Sequence, residues 1–363
     1  MKVPIDASTG YSYQYQNVGQ TSNRGIEFSL FYEAVRTKDF GLSFNLTYNY
    51  NNNMVDELNP DLDLNPDTHT GWGSSMRKPF YDYIIRPGYP VGTIQGFKSI
   101  GYYTLDDFNY SDGVYTLKSG VPDIKSIVNY PADAFKGHKA DGQTAFPGMV
   151  KFEDVNGDGV VDDSDATVIG KTQPHHTGGF NINGNYKNLD FSLGFTYQLG
   201  GKVYNANAMH DMMGDKDNSL GGNRLAIVKD CYRIYDIDAS GNIVAVTEPA
   251  ALAALNANAK YALPYSEYGL ASSEFIEDAS YLRLNTLTIG YTFPKTWLAP
   301  VGINNVRVYF TGANLFCLTG YSGLDPDVNT NPTAGGDGFP TPFYDYQAYP
   351  KTRSYTFGIN VTF

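Results

Sequence analysis

The last stretch of the chain, Arg353 to Phe363, limits what the rest can be. Counted back by twos it reads Phe363, Val361, Ile359, Phe357 and Tyr355. The positions between are Thr362, Asn360, Gly358, Thr356 and Ser354. One face is apolar or aromatic and the other is small and polar, so the stretch predicts a β-strand between two different solvents. Its length is about the 9–11 residues that a tilted strand needs to cross a bilayer. Left as a soluble edge, it would invite aggregation. In a closed barrel it has a neighbour on each side and lipid against one face. Taken alone, it suits an amphipathic strand of a soluble sandwich equally well.

The pattern recurs in pairs. Ile26, Phe28, Leu30 and Tyr32 alternate with Glu27 and Ser29. The polar turn Arg36-Thr37-Lys38-Asp39 follows, then Phe40, Leu42, Phe44, Leu46, Tyr48 and Tyr50 against Gly41, Ser43, Asn45, Thr47 and Asn49. This predicts a tight hairpin. A second hairpin sets Phe180, Ile182 and Tyr186, then the turn Lys187-Asn188, then Leu189, Phe191, Leu193, Phe195 and Tyr197. In a third unit, Leu282 and Leu284 share one parity while Leu287, Ile289, Tyr291 and Phe293 share the other. That switch predicts a β-bulge near Asn285-Thr286. Val306, Val308 and Phe310 begin the next strand, which fades near Phe316. Tyr11, Tyr13 and Tyr15 suggest one further, weaker strand. A short helix is expected within Ala245–Ala262.

The connections alternate in length. Those at 36–39, 187–188 and 294–304 are short, with Trp297 placed to anchor the last at a membrane interface. Those at 51–177, 201–277 and 317–351 are long. A sandwich has no reason to put all its long loops at one end, whereas a membrane barrel with short periplasmic turns and long extracellular loops does. The expected fold is therefore all-β: an antiparallel transmembrane β-barrel with long extracellular loops.

Composition agrees. The net charge of −12 lacks the basic stripe of a nucleic-acid binder. Aromatics make up 15%, with 30 Tyr, which suits strands and interface belts. A mean hydropathy of −0.34 excludes a helical membrane protein but not a barrel, whose strands show half their residues to a polar lumen. The start, Met1 to Asp6, carries no apolar signal-peptide core. Cys231 and Cys317 are compatible with one disulfide or with two free thiols.

One stretch carries site chemistry. Residues 154–165 match the spacing of a calcium loop, with oxygen ligands at Asp154, Asn156, Asp158, Asp162 and Asp165. Gly159 stands at the sharp turn and Val160 offers its carbonyl. Position twelve is Asp instead of the usual bidentate Glu. The preceding Met149–Phe152 reads as a strand, so a paired-helix sensor is not expected. A solvated acidic turn is the bland alternative; a fit at six places favours a structural calcium. Trp72, Tyr81 and Tyr83 are weak candidates for a sugar-stacking surface. His175-His176 and His210-Asp211 lack a converging partner for a metal. No phosphate loop, zinc spacing or nucleophile elbow occurs, and no enzyme is expected.

Several stretches, in order, resemble the SusC/RagA family of TonB-dependent outer-membrane transporters of Bacteroidetes. They are Asn17-Val18-Gly19, Asn23–Glu27, Gly88–Gly92, Pro147-Gly148 ahead of the 154–165 loop, and Ile169-Gly170 with Pro174. Asn185-Tyr186-Lys187, Ala279–Leu284, Gly290–Pro294, Asn314-Leu315, Tyr321–Pro326 and the closing strand follow. The resemblance implies import of large nutrients, oligosaccharides or peptides, in concert with a SusD-like surface lipoprotein and driven through TonB. It implies a plugged barrel of about 22 strands. About seven strands and one doubtful one are found here, with no plug domain. Residues 1–363 are therefore expected to be the C-terminal portion of such a barrel. The plug and the remaining wall, with any TonB contact, would come from the same gene product or a separate chain. The alternatives are a self-contained small outer-membrane barrel with an adhesive or structural role, and a secreted calcium-binding, glycan-binding β-protein.

Overall fold

In a computed structural model, the structure describes residues 2–15, 17, 19–58, 82–125, 127–128, 135–212, 224–264, 270–328, 330 and 342–363. Seven strands form one antiparallel sheet: β1 (Gly19–Arg36), β2 (Phe40–Leu58), β3 (His176–Tyr186), β4 (Leu189–Leu199), β5 (Tyr281–Thr292), β6 (Asn305–Thr319) and β7 (Ser354–Thr362). Each strand pairs with its neighbours in sequence, so the sheet is an unbroken meander from β1 to β7. The alternating hairpins thus lie in the order expected. β2 runs on through Leu58 and β3 begins at His176, beyond the bounds that the apolar alternation suggests. Of the extra residues, Asn51 to Asn53 and His176 to Gly179 are polar or small, and Met54 to Leu58 do not continue the alternation. Tyr13–Tyr15 pairs with Lys2–Pro4 outside the sheet and adds no eighth strand to it.

Register lines the apolar residues of all seven strands on one face. Phe28 faces Tyr48, Leu30 faces Leu46, Leu46 faces Phe180, and Phe180 faces Phe195. Leu193 faces Leu287, Ile289 faces Phe310, and Phe310 faces Phe357. Nothing in the described chain covers this face. Phe28 is 50% exposed, Phe357 80% and Ile359 68%. An apolar stripe that wide on a water-soluble body would be an association surface. Rings collect towards both ends of the stripe. Tyr291, Phe293 and Trp297 pack together beside the β5–β6 connection. Tyr48, Tyr50 and His176 do so at the other end of β2 and β3, where the Tyr48 hydroxyl meets His176 Nδ1 at 2.8 Å. Amphipathic rings bounding an apolar band are what two membrane interfaces select.

The bulge falls where the parity switch places it. Register slips between Leu284 and Thr286 against β6, and between Gly194 and Phe195 against β4. The skipped Asn285 is held by its Oδ1, which accepts from Thr196 Oγ1 at 3.1 Å. On β6 the slip is matched by Asn314, whose φ is 52°.

The opposite face is polar. Arg307 on β6 donates through Nη2 and Nε to both oxygens of Asp190 on β4, at 2.5 and 3.1 Å, reaching across β5. Gly290 of β5 lies beneath: a Cβ there would stand 2.3 Å from Arg307 Nη2. Tyr309 lies flat over Gly358 of β7 in the same way. Missing side chains at these two positions let long ones lie down across the strands.

The hydrophobic core is not under the sheet. It lies among the long connections, where Tyr83, Ile94, Phe97, Tyr103, Phe146, Phe152, Tyr204, Met209, Tyr232, Phe275 and Tyr344 form one buried cluster. Short helices α1 (Ala206–Met212) and α2 (Pro249–Leu255) belong to this cap; α2 lies within the stretch expected to be helical. The helix α3 (Lys295–Leu298) forms the β5–β6 turn, closed by Gly302 at φ 73°. Cys231 and Cys317 are free thiols.

Leu193→Arg should reduce recovery of folded, heat-modifiable protein from outer membranes far more than Thr196→Arg. A lipid-facing charge costs about 2–4 kcal/mol at mid-depth, whereas the polar face tolerates it. Equal recovery of the two variants would mean the faces are reversed.

Candidate functional site

The acidic loop hangs between two short strands of the cap, Val150–Phe152 and Thr167–Lys171, and itself contains the two-residue strand Val160–Val161. Its residues fold back on their own amides. Asp154 accepts from Gly157 N and Gly159 N at 2.7 and 2.8 Å. Asn156 Oδ1 accepts from Asp158 N, and Asp158 Oδ1 from Val160 N, both at 2.9 Å. Asp162 Oδ1 accepts from Ser164 N at 2.8 Å. Gly157 and Gly159 take φ of 77° and 87°, which lets the backbone wind this tightly. Asp165 is 1% exposed and closes the loop: it accepts from Val155 N and Asp162 N at 2.8 Å, and from Asn156 N at 3.3 Å. Every side chain expected to supply an oxygen is therefore turned into one loop by backbone N–H groups. Asn156 Nδ2 also donates to Asp158 Oδ2 at 3.1 Å. Among the described residues, no three His, Cys, Asp or Glu side chains are grouped as a metal cluster. A cation here would lean as much on the Asn156 amide and the Val160 carbonyl as on carboxylates. A cavity of about 580 Å³ opens beside the loop, lined by Lys98, Glu153, Asp154, Thr167, Ile169 and Ser273.

The other candidates fare differently. Trp72 and Tyr81 lie outside the described residues. Tyr83 offers no open ring: it is 1% exposed in the cap core, and its hydroxyl donates to the Pro342 carbonyl at 3.1 Å. The bulk that suggested a platform serves packing instead. His175 and His176 both sit against Tyr50, and His210 pairs with Asp211 at 2.8 Å. The terminal positions Tyr355, Phe357, Ile359 and Val361 lie on β7, exposed on the apolar face, and Phe363 follows the strand. Burial pushes the Cys231 thiol up to about 11, so it stays protonated and inert.

Sequence reasoning missed a buried polar belt where the cap meets the sheet. Arg283 of β5, 4% exposed, donates to Asp325 at 2.5 Å and lies over the Tyr281 ring. Tyr321 donates to Asp345 at 2.6 Å, and Asp345 is 2% exposed. Burial, then the Asp345 carboxylate, hold the Tyr321 hydroxyl far above its ordinary range. The only signal in the sequence was charge inside an otherwise neutral strand, at Arg283.

No protein-family model matches the chain. Curated relatives do. TonB-dependent receptor P3 of Formosa agariphila is 27% identical over 99% of this chain and 30% of its own length. TonB-dependent receptor P26 of the same organism is 30% identical over 100% of this chain and 31% of its own length. TonB-dependent receptor SusC of Bacteroides thetaiotaomicron is 27% identical over 100% of this chain and 28% of its own length. Among solved structures, the RagAB peptide transporter matches with a TM-score of 0.61 at 22% identity, over 99% of this chain and 31% of that one. The RagAB peptide importer in its open-open state gives 0.59 at 21%. The fold is thus part of an antiparallel β-barrel wall with long connections at one end, and its relatives are receptors and transporters, not enzymes. The chain spans under a third of the length of each relative, and over nearly its whole length it is similar to TonB-dependent receptors, SusC among them.

Proposed function

We propose that residues 1–363 are the C-terminal barrel portion of an outer-membrane importer of large nutrients, oligosaccharides or peptides. One observation carries this reading: a seven-strand meander whose apolar face has nothing of the described chain against it and whose other face is amide- and hydroxyl-rich. Such a wall divides lipid from a wet lumen. The names of the relatives, receptors that depend on TonB and a peptide importer, support the direction and the size class of the cargo. The chain would cross the membrane once per strand, with the cap outside. The missing wall and plug, from the same gene product or another chain, would complete the barrel and supply the TonB contact. A SusD-like surface lipoprotein would meet the cap. Glycan and peptide cargo both fit this polar face.

The self-contained small barrel is disfavoured by the open sheet: β1 and β7 have no common partner among the described residues. A secreted sandwich is disfavoured because, among the described residues, no core lies beneath the strands.

We further propose that the 154–165 loop holds a structural calcium through Asp154, Asn156, Asp158, the Val160 carbonyl, Asp162 and Asp165. The turns onto Gly157, Asp158, Val160 and Ser164 aim these groups inward, in keeping with a hard cation that takes six to eight oxygens. A bound divalent ion would neutralise the acid cluster and stiffen the cap beside it. Asp165 already stiffens the loop in part through its amide contacts.

Two outcomes are expected of the full-length protein. In mild detergent it should carry a SusD-type lipoprotein in near-stoichiometric amount by mass spectrometry; recovery as a bare barrel counts against the partner. Calcium should protect residues 148–170 from limited proteolysis relative to chelator, and Asp158→Ala should abolish the difference. Identical cleavage with and without calcium in the unaltered protein would remove the metal.

A further inference from the structure

The segment that leaves β6, residues 319–328, is tied at every few residues to something already fixed. Thr319 Oγ1 donates to the Ser280 carbonyl at 2.8 Å. The Tyr321 ring is 5% exposed and packs with Val203 and Ala279. Its hydroxyl donates to Asp345, which also accepts from Asn207 of α1 at 2.9 Å. Ser322 donates through N and Oγ to Glu277 at 2.7 and 2.6 Å. Glu277 in turn accepts from Asn205 at 2.7 Å. Asp325 closes the series on Arg283, both almost wholly buried.

These partners come from both bodies. Arg283 belongs to the wall at β5, and Ser280 stands at the corner just before that strand. Asn205, Asn207, Glu277 and Asp345 belong to the cap, in α1 and in the small sheet of Lys202–Asn205, Ile276–Asp278 and Tyr344–Asp345. That small sheet is the outward extension of β4 and β5, turned at Gly200-Gly201 and Ala279-Ser280. The corner is itself bonded: Gly200 N donates to Ser280 Oγ at 2.8 Å, and Gln198 Nε2 to the Ala279 carbonyl at 3.2 Å. A Cβ on Gly201 would stand 2.6 Å from the Thr172 carbonyl oxygen, so the corner is packed from the third side too.

We infer that residues 319–328 are a strap, with Arg283–Asp325 as its clasp, that fastens the cap to the wall so that the two move as one body. The cap is then a fixed frame at this end of the wall. The inference rests on buried polar contacts and stands whether or not the transport reading holds. A buried carboxylate that keeps a single cation in place is costly to strand, because the remaining charge loses its partner in a dry site. Polar groups paired in this way fix one arrangement instead of several.

Hydrogen exchange on the full-length protein in detergent tests this. In the unaltered protein, amides of 319–328 and 342–347 should exchange at rates close to those of the cap core, such as 149–152, and far below those of a free loop. Asp325→Asn should speed exchange across 319–328 by about tenfold or more, with β4 unchanged as the internal control. If Asp325→Asn does not assemble, Tyr321→Phe removes only the hydroxyl contact to Asp345 and should speed exchange at 342–347. Fast exchange of 319–328 in the unaltered protein would overturn the strap. So would an assembled variant with exchange unchanged.

Discussion

The structure depends on how strands satisfy their backbone when one side is hydrocarbon. In a bilayer no water reaches an open N–H or C=O, so each strand must find its hydrogen bonds in the next. A meander does this with the least chain: every strand pairs with its sequence neighbours, and the turns at 37–39 and 187–188 are as short as a hairpin allows. Those two turns even bond each other, Lys187 N donating to the Asp39 carbonyl at 2.7 Å. Once the ladder is fixed, the period of two sorts every side chain to lipid or lumen. That sorting explains how a chain with mean hydropathy of −0.34 presents an unbroken apolar face.

The same constraint moves the hydrophobic core out of the sheet. A wall with lipid on one side and water on the other has no interior, so packing is relegated to the connections. There, three segments that are distant in sequence share one cluster of buried Tyr, Phe, Ile and Met side chains. Its rings meet at tilted and edge-on angles, as Phe108 with Tyr115 and Tyr115 with Phe146. The junction between wall and cap is polar because it lies where the two solvents end. Arg283 pairs with Asp325 there, Asn205 with Glu277, and Tyr321 with Asp345. The acidic loop belongs to the cap.

Much of this was legible in the residues. The hairpins, their order and the bulge at Asn285 followed from side-chain parity, because parity is local and a single extra residue flips it. The short turns followed from runs such as Thr37-Lys38-Asp39. The cap was not legible. Its strands are two to five residues long and many pair with partners far off in the chain, some in parallel, as Lys139-Ala140 with Val114-Tyr115. No periodicity survives at that length. Tyr83 shows the consequence: a ring on a long connection gave no sign of being core until the connection was seen to fold. The acidic loop was legible because its spacing is a local device, whereas the Arg283–Asp325 contact spans β5, β6 and the strap, and only the fold brings it together.

The central claim is that the alternating rings of the sheet meet hydrocarbon. Spin labels placed singly along β4, from Leu189 to Leu199, in the full-length protein in bilayers test it most directly. Accessibility to oxygen, which concentrates in lipid, should peak at Phe191, Leu193 and Phe195 and fall at Ser192, Gly194 and Thr196. Labels at the first set that are shielded from both oxygen and a water-soluble nickel reagent would place those rings inside a protein core and contradict the account.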